Sequence, residues 1–435
     1  MKKRAITASA LVCAMALSAC GSRSGADVTT PDGRLDACTL RFSWWGGDDR
    51  HEATLNALAL WKELHPEIVI IPEYGGWDGW TEKVTAQVTG GTAPDVMQIN
   101  YDWLISMSPD GTGFYDLESI PGYPDLSGFD SEVLSFGRAG GRLNAVPVSI
   151  SGRGLFYNSQ VYERLGAEYP STWDELLALG DRFSGSGAYP LDLDIQSGGT
   201  AWYLATVYVQ QNTGRQFITM DGHLGFTEDD LKAVLDLYKE LEDRHVIRTI
   251  RTRTDEDGSA ALYQSPEFIS GNVAGVLEWG SSVGKYEMVL PEGALEAGPL
   301  LTDGEHTGGW MIKPSLMYAV SAGTEHPDEA AAFIDFLLNN GDCAELLGTT
   351  RGIPSSSSAR DRLESTGRLS GLAVDCAEKL ASVDTVTISP YMELARMKEY
   401  YNEAIESVSY GTADTAAAAK ELYASLTEYL EKICR

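Results

Sequence analysis

Hydrophobic residues in the first part of the chain follow two alternating patterns. Short apolar and β-branched runs at 39–42, 67–74 and 95–100 are typical of buried strands. Between them, segments 52–64 and 80–91 place apolar residues at helical spacing. The order is therefore βαβαβ, which predicts a parallel sheet with helices on its faces.

The rest of the chain continues the alternation around an extended middle segment. Residues 142–158 are extended and show no helical periodicity, and a capping box of Thr172 and Glu175 predicts a helix start. Later patterns predict helices at 200–211, 228–244, 328–338, 391–408 and 414–432, and buried strands at 273–279 and 316–322. Two α/β lobes joined by extended crossing segments fit this order better than one large sheet.

The start of the chain indicates secretion. A basic MKKR precedes an apolar run too short to span a bilayer, and the run ends in LSAC, which matches the bacterial lipobox. We expect a signal peptide at 1–19, lipid on Cys20 and a flexible Gly/Ser/Asp-rich tether at 20–37. The predicted location is the extracellular face of the cell membrane.

The charge of the chain excludes one class of partner. The sequence has 33 Lys and Arg against 63 Asp and Glu, a net charge of −30, and loss of the basic leader residues brings it near −33. Such a chain repels phosphate backbones and anionic headgroups. Nucleic acid is therefore excluded, and membrane contact is expected through the lipid only.

Four cysteines remain once the leader and Cys20 are set aside. They are Cys38, Cys343, Cys376 and Cys434. An even number in an oxidising compartment is compatible with two disulfides, and four buried thiols are the alternative. None has CxxC spacing, so no metal site is predicted.

The search for catalytic motifs gives one match. Residues 280–284 fit G-x-S-x-G after a predicted strand, with His306 and His326 downstream. A nucleophile elbow needs a helix directly after the serine, and the glycines and proline of 283–293 do not predict one. A glycosidase with two carboxylates stays open, because 63 acids always supply a pair. No cofactor is predicted.

Aromatic residues stand beside polar ones where the predicted strands end. Ligands of parallel sheets bind beyond the carboxyl ends of the strands. Flat rings suit the C–H face of a sugar, while carboxylates and amides bond its hydroxyls. Each ring taken alone is more often a core residue. The candidate ligand-binding residues are Trp44, Trp45, Asp48, Arg50, Trp77, Gln98, Asn100, Trp103, Arg153, Trp202, Glu278, Trp279 and Trp310.

These motifs occur in a recognisable order: the lipobox, strand–WWGG–helix, GGTAPDVMQ, GLFYNSQVYERLGAEYPSTWDELLAL, GGWMI, HPDEAAAFIDFLL and RGIPSSSSA. The order resembles the bacterial family 1 extracellular solute-binding proteins, which are the carbohydrate receptors of ABC importers. SWWGGDDRH, EYGGWDGW, DVMQINYDWL and GTGFYDL are similar to members that bind oligogalacturonides and related oligosaccharides. The resemblance implies a monomeric two-lobe clamshell of mainly parallel sheets, which closes on its ligand, delivers it to a permease and does no chemistry.

The family's topology also implies domain boundaries and a cysteine pairing. The first lobe would comprise 38–148 and 309–352, and the second 149–308 and 353–435. A bridge between lobes would hinder closure, so the topology favours the pairs Cys38–Cys343 and Cys376–Cys434.

Within the implied cleft, one of Trp44 and Trp45 is expected in the core and the other under the ligand. Asp48 or Asp49 would cap the following helix while the other accepts sugar hydroxyls. Candidate cations for a uronate are Arg50, Arg153, Lys285, Lys313 and Arg351. The acidic chain favours a neutral oligosaccharide, which we expect. Acidic oligogalacturonides, favoured by the resemblance, are the alternative, and a glycan-binding adhesin or sensor without import also stays open.

Overall fold

Strands and helices alternate along the part of the chain that is described, residues 35–194, 199–306 and 308–434 of a computed structural model. The strands are β1 (Cys38–Trp45), β2 (Ile68–Gly75), β3 (Val96–Ile99), β4 (Arg138–Ala139), β5 (Arg142–Leu143), β6 (Ala145–Asn158), β7 (Gly275–Trp279), β8 (Leu295–Ala297), β9 (Trp310–Val320) and β10 (Thr385–Thr387). The helices are α1 (Asp48–Leu64), α2 (Trp80–Thr89), α3 (Trp103–Met107), α4 (Ser131–Ser135), α5 (Ser159–Leu165), α6 (Trp173–Ser184), α7 (Thr200–Thr213), α8 (Glu228–Asp243), α9 (Ile250–Asp257), α10 (Pro266–Ile269), α11 (Gly284–Glu287), α12 (Pro327–Asn339), α13 (Gly341–Leu347), α14 (Ser357–Ser365), α15 (Leu372–Ala381), α16 (Ala395–Ser409) and α17 (Thr415–Ile433). Short 3₁₀ turns lie at Leu117–Ser119, Leu262–Gln264, Gly280–Ser282 and Pro390–Glu393.

The main sheet has the strand order β2-β1-β3-β9-β6-β7, with β10 beside β9 and β8 beside β6. β1 runs parallel to β2 and β3, so the predicted βαβαβ unit is confirmed. The pairs of β6 with β7, β8 and β9 are antiparallel, as is β3 with β9. The α/β class is confirmed, but the sheet around β6 is not mainly parallel, because β9 and β7 both run against it.

Two long strands pass from one group of strands to the other. The first half of β6 pairs with β9, and its last residues pair with β7 and β8. β9 pairs with β10 at its start and with β3 at its end. These strands are the extended crossing segments that the sequence predicted. The boundary predicted at 148/149 falls within β6, and the lobe boundaries stay predictions.

Aromatic side chains fill the core on both sides of the crossing strands. Phe42 of β1 packs edge-on against Phe333 of α12 with ring centroids 5.2 Å apart, and Trp61 lies 5.1 Å from the same ring. On the other side, Trp202 of α7 stacks on Tyr401 of α16 at 5.0 Å. The described residues from Asp36 onward form one compact unit. Among them, no helix is long and apolar enough to cross a membrane.

The helix start predicted at Thr172 is confirmed, whereas the cap predicted for α1 is wrong. The Thr172 hydroxyl caps α6 by accepting from the Glu175 N–H at 3.1 Å, while the Glu175 carboxylate accepts from the Ser171 N–H at 2.8 Å. At α1 the N-cap residue is Gly47, and neither Asp48 nor Asp49 caps it. Both aspartates lie in the first helical turn, where a negative charge suits the helix dipole.

The predicted cysteine pairs are wrong, because Cys38, Cys343, Cys376 and Cys434 are all free thiols. Cys343 and Cys376 are buried, Cys38 is half-buried and Cys434 is exposed, so the alternative of four buried thiols holds for two of them. The Cys376 thiol lies against β6, 4.0 Å from the Gly152 carbonyl oxygen. The predicted lipid site Cys20 lies outside the described residues.

Candidate functional site

Three tryptophans meet at the carboxyl ends of the first strands. Trp45 is the last residue of β1, Trp77 follows β2, and Trp103 begins the helix after β3. The Trp45 ring lies 5.2 Å from that of Trp77 and 5.4 Å from that of Trp103. Trp103 is buried beneath, while 36% of Trp77 is exposed. We call these three residues the tryptophan cluster. Their rings extend from the buried Trp103 to the partly exposed Trp77.

A fourth tryptophan stands on the other group of strands with two cations over its ring. Trp279 ends β7, is half-buried and pairs in register with Arg153 of β6. The Arg153 guanidinium carbon lies 4.6 Å from the centre of the Trp279 ring, and the Lys313 Nζ lies 4.8 Å from it. Such contacts gain strength where water is excluded. Arg153 and Lys313 are both buried.

A polar network joins these two groups of strands. Lys313 Nζ of β9 lies 2.5 Å from Glu393 Oε2 and 3.4 Å from the side-chain oxygen of Asn100. The Asn100 amide donates to Asp102 Oδ1 at 2.6 Å. The network therefore connects the residues that follow β3 with the 3₁₀ turn Pro390–Glu393 through one lysine.

Burial shifts the titration of this network. Burial and the negative charge of Glu393 raise the pKa of Asp102 to about 6. Burial also lowers the pKa of Lys313. Burial works to raise the pKa of Glu393, but the positive charges of Lys313, Lys398 and Arg153 together keep that pKa below its ordinary value. The pKa of Asp102 therefore lies closer to neutral pH than that of an ordinary aspartate, while that of its neighbour Glu393 does not.

Glu278 turns back onto its own chain. One carboxylate oxygen accepts from the Trp279 N–H at 2.8 Å, and the other lies 2.8 Å from Lys285 Nζ. The strand ends at Trp279 and a 3₁₀ turn begins at Gly280. The alternation of side chains along the strand therefore ends at this point. The Glu278 carboxylate binds the backbone N–H of Trp279 instead of pointing to the opposite face of the sheet.

Three of the predicted ligand tryptophans are core residues instead. Trp44, Trp202 and Trp310 have no exposed surface. Trp44 lies between Phe42 and Tyr74, with centroids 5.0 and 4.8 Å away. Trp310 donates its indole N–H to the Leu301 carbonyl at 2.8 Å and, like Trp202, belongs to the core around β6. The prediction that these three rings contact ligand is therefore wrong. Trp103 is only 1% exposed and is a core residue as well, and the expected division between Trp44 and Trp45 stays a prediction, because Trp45 is only 8% exposed.

Arg50 and Gln98 hold the backbone. The Arg50 guanidinium donates to the carbonyls of Trp45, Thr350 and Ser281 at 2.8–3.2 Å. Burial lowers its pKa to about 10. The Gln98 amide donates to the Trp45 carbonyl and its oxygen accepts from Arg351, both at 3.1 Å. These polar atoms have protein partners, and the predicted ligand contacts of Arg50 and Gln98 stay predictions.

Sequence reasoning missed Asp102 and Glu393. Asp102 lies two residues after Asn100, so the polar run after β3 was an available signal. Glu393 lies in a 3₁₀ turn remote from the rest of the site in sequence, and no local pattern indicates it. Asp48 is exposed in the first turn of α1 and stays a predicted ligand residue without a tested role.

The serine motif does not gather its expected partners in the structure. Ser282 lies in a 3₁₀ turn, and the helix after it, α11, is a single turn. Asp303 accepts from the Trp173 N–H at 3.0 Å, and His326 lies 4.0 Å from Glu329. These acidic and imidazole groups therefore serve contacts of their own.

Comparison with known proteins gives a consistent result. The family model for bacterial extracellular solute-binding proteins matches residues 48–342. A periplasmic oligogalacturonide-binding protein of Yersinia enterocolitica, solved with saturated digalacturonic acid, is 33% identical, covers 91% of this chain and 100% of its own, and has a TM-score of 0.87. A periplasmic solute-binding protein of Pectobacterium atrosepticum is 30% identical with the same coverage and a TM-score of 0.86.

Curated relatives match over a shorter length. A probable sugar-binding periplasmic protein of Rhizobium meliloti is 30% identical over 38% of this chain and 39% of its own. It and other curated relatives match over less than half of their own length. The comparison of the whole fold therefore rests on the solved proteins. The fold is the two-lobe fold of periplasmic binding proteins.

Proposed function

The chain belongs to the bacterial extracellular solute-binding proteins, and we propose that it captures an oligosaccharide between its two lobes for delivery to an ABC importer. The observation that carries this proposal is the pairing of the tryptophan cluster with Trp279 and its cations. Flat rings accept the C–H faces of sugars, and Asn100, Arg153 and Lys313 supply polar partners for the hydroxyl and carboxyl groups. Such a site binds without needing a nucleophile.

The charges near Trp279 favour an acidic oligosaccharide over the neutral one expected from composition. Two buried cations, Arg153 and Lys313, lie within 5 Å of the same ring centre. Charges beyond a Debye length of about 8–10 Å are largely screened, so the groups near the ring matter more than a net charge spread over the surface. Glu393 offsets the charge of Lys313 at 2.5 Å, and Arg153 adds a further positive charge at the same ring. The similar protein of Yersinia enterocolitica binds a digalacturonate. We therefore propose a uronide ligand.

A matched pair of sugars tests the ligand charge. Digalacturonic acid and the neutral disaccharide with the same linkage differ only in their carboxylates. We expect the acid to stabilise the protein by about 2.7 kcal/mol at a hundred times its Kd, and the neutral sugar to give no shift at that concentration. Thermal unfolding and calorimetric titration would measure both. A response to the neutral sugar alone would reverse the charge assignment, and no response to either sugar or to longer oligomers would count against the receptor proposal.

Two tryptophan variants test the location of the site. We expect Trp279→Ala to weaken uronide binding by roughly 30- to 1,000-fold, equivalent to about 2–4 kcal/mol, with a small loss of stability. Trp202→Ala is the matched core control, with an expected loss of about 3–5 kcal/mol of stability and little change in affinity. A Trp279→Ala protein that is destabilised but binds at full strength would place Trp279 in the core.

Anchoring and import complete the proposal. The lipobox ending in Cys20 supports a lipoprotein on the extracellular face of the membrane, with the permease subunits of an ABC importer as partners and a monomer as the active form. Turnover of a bound oligosaccharide would instead favour a glycosidase or esterase. Uptake that survives loss of this protein would favour an adhesin or sensor.

A further inference from the structure

A second group of chemically reactive side chains lies at the opposite end of β1 from the tryptophan cluster. Cys38 begins β1 and Trp45 ends it, so about 23 Å of extended strand separates them. The Cys38 thiol, an imidazole nitrogen of His326 and a carboxylate oxygen of Glu329 lie within 4.8 Å of one another. We call these three residues the Cys–His–Glu cluster.

Neighbouring groups hold two of these side chains in place. Glu329 is buried, and its Oε1 accepts from the Asp36 N–H at 2.8 Å. Its Oε2 lies 4.0 Å from Nδ1 of His326, which is half-buried beside it. The His326 backbone N–H donates to the Thr324 hydroxyl at 3.2 Å, which fixes the backbone at this residue. The carboxylate therefore already presents one oxygen toward the histidine.

The surroundings of Cys38 are negative. Glu329 lies in the cluster itself, and the Asp95 carboxylate accepts from the Arg41 N–H at 2.8 Å and from the Thr324 hydroxyl at 2.7 Å, so it lies beside β1 and the chain before α12. A cation placed among these groups would relieve their mutual repulsion. The positive end of the α12 dipole opposes this, but that effect is about 0.3–1 kcal/mol, small beside the affinity of a thiolate and an imidazole for a transition metal.

We propose that the Cys–His–Glu cluster binds one Zn²⁺ through the Cys38 sulfur, the His326 imidazole and the Glu329 carboxylate. Thiolate, imidazole and carboxylate are all zinc ligands, and three of them leave a fourth tetrahedral position for water. Zinc bond lengths place tetrahedral ligand atoms about 3.3–3.7 Å apart, so the separations within the cluster need to contract by about 1 Å at most. Binding replaces the thiol proton by the metal and releases that proton to solvent.

The ligands come from the two ends of the first-lobe sequence, which explains why spacing did not reveal them. Cys38 is the first residue of β1, whereas His326 is the N-cap residue of α12 and Glu329 lies in its first turn. A metal would join the first strand to this helix directly after the predicted tether at 20–37. It would also occupy the Cys38 thiol, which is otherwise free in an oxidising compartment.

Cobalt provides a direct probe of the proposed ligands. The test uses an untagged chain beginning at residue 20 with Cys20→Ser, which contains the whole compact unit Asp36–Arg435. One equivalent of Co²⁺ should produce a thiolate-to-cobalt charge-transfer band and the intense visible bands of a tetrahedral ion. One equivalent of Zn²⁺ should abolish them.

Single substitutions separate this site from general binding by acidic groups. We expect Cys38→Ser and His326→Gln each to weaken Zn²⁺ binding by about tenfold or more and to remove the rise of Tm with Zn²⁺. Cys38→Ser should also abolish the charge-transfer band. Cys434→Ser and His223→Gln, at exposed positions, are the matched controls and should bind as the parent does.

Circular dichroism confirms that each variant is folded, and two independent ligand variants guard against misfolding of one. Cobalt that binds without a charge-transfer band would overturn the proposal. So would a Zn²⁺ affinity that is unchanged in both Cys38→Ser and His326→Gln, because acidic surface groups would then account for all binding.

Discussion

Trp279 illustrates how one residue can gather charged side chains around its ring. Its ring faces the guanidinium of Arg153 and the ammonium of Lys313, and its backbone N–H donates to Glu278. The indole ring covers part of both cations, and the ring itself is half-buried. Local charge of this kind cannot be inferred from a net charge of −30, because composition does not say which charges are buried together.

Asp102 gives the site a dependence on pH. Its pKa of about 6 exceeds the unfolded value of about 3.9, so its contribution to stability is complete below pH 4 and is lost as pH rises through 6. Asp102→Asn removes this loss. We expect the variant to gain stability relative to the parent between pH 4 and 7, by as much as about 3 kcal/mol.

Thermal unfolding of both proteins across this pH range measures the effect as a difference in Tm. Asp78→Asn, at an exposed aspartate in the loop after β2, is the control and should show a difference that does not vary with pH. A constant difference for Asp102→Asn as well would mean that Asp102 is ionised in the folded state at no cost.

At the scale of elements, the periodic segments were predicted and the interrupted ones were not. The strands and helices of the βαβαβ unit appear within a few residues of their predicted bounds, because each has a clear apolar period. β9 was predicted at 316–322 but spans Trp310–Val320. Lys313 and Pro314 interrupt its apolar pattern, and the Lys313 ammonium pairs with Glu393.

Side-chain roles were harder to predict than elements. Apolar and aromatic residues cover every face of α7, so its pattern could not tell whether Trp202 faces core or cleft, and the structure buries it. Lys313 and Glu393 are 80 residues apart, and only the path of the chain brings them together. The sequence therefore supplied the right kinds of side chain at the strand ends, while the fold decides which of them remain accessible.

Arg50 fixes the junction between the start of α1 and two loops. Its donors satisfy the carbonyls of Trp45, Thr350 and Ser281. Methionine has a similar length but no donor, so Arg50→Met leaves these buried oxygens without that partner. We expect a loss of about 3 kcal/mol or more in the free energy of unfolding, measured with denaturant.

An exposed arginine provides the comparison. Arg138 pairs with Glu118 at the surface, where such pairs contribute about 0–1 kcal/mol. Arg138→Met should therefore have a small effect. Equal losses for Arg50→Met and Arg138→Met would show that the carbonyl contacts of Arg50 add nothing beyond a surface interaction.

The whole molecule places its proposed functions at separate ends of one lobe's sheet. The carboxyl ends of β1, β2 and β3 carry the tryptophan cluster, and the amino end of β1 carries the Cys–His–Glu cluster next to the predicted tether. The crossing strands β6 and β9 contribute Arg153 and Lys313, so cations of the site lie on the strands that both groups of the sheet share. A ligand that contacts Arg153 and Lys313 would therefore touch the strands that connect the two groups of strands.

The predicted attachment of the whole molecule to the membrane depends on one residue, Cys20. If Cys20 carries the lipid, Cys20→Ala removes the only predicted anchor, and a mature chain with net charge near −33 is repelled by anionic headgroups. We expect the variant to move from the membrane pellet to the soluble fraction, with its uronide affinity unchanged because Cys20 precedes the folded unit. Cys434→Ala is the control and should stay in the pellet. Retention of Cys20→Ala in the membrane at high salt would show that another segment attaches the protein.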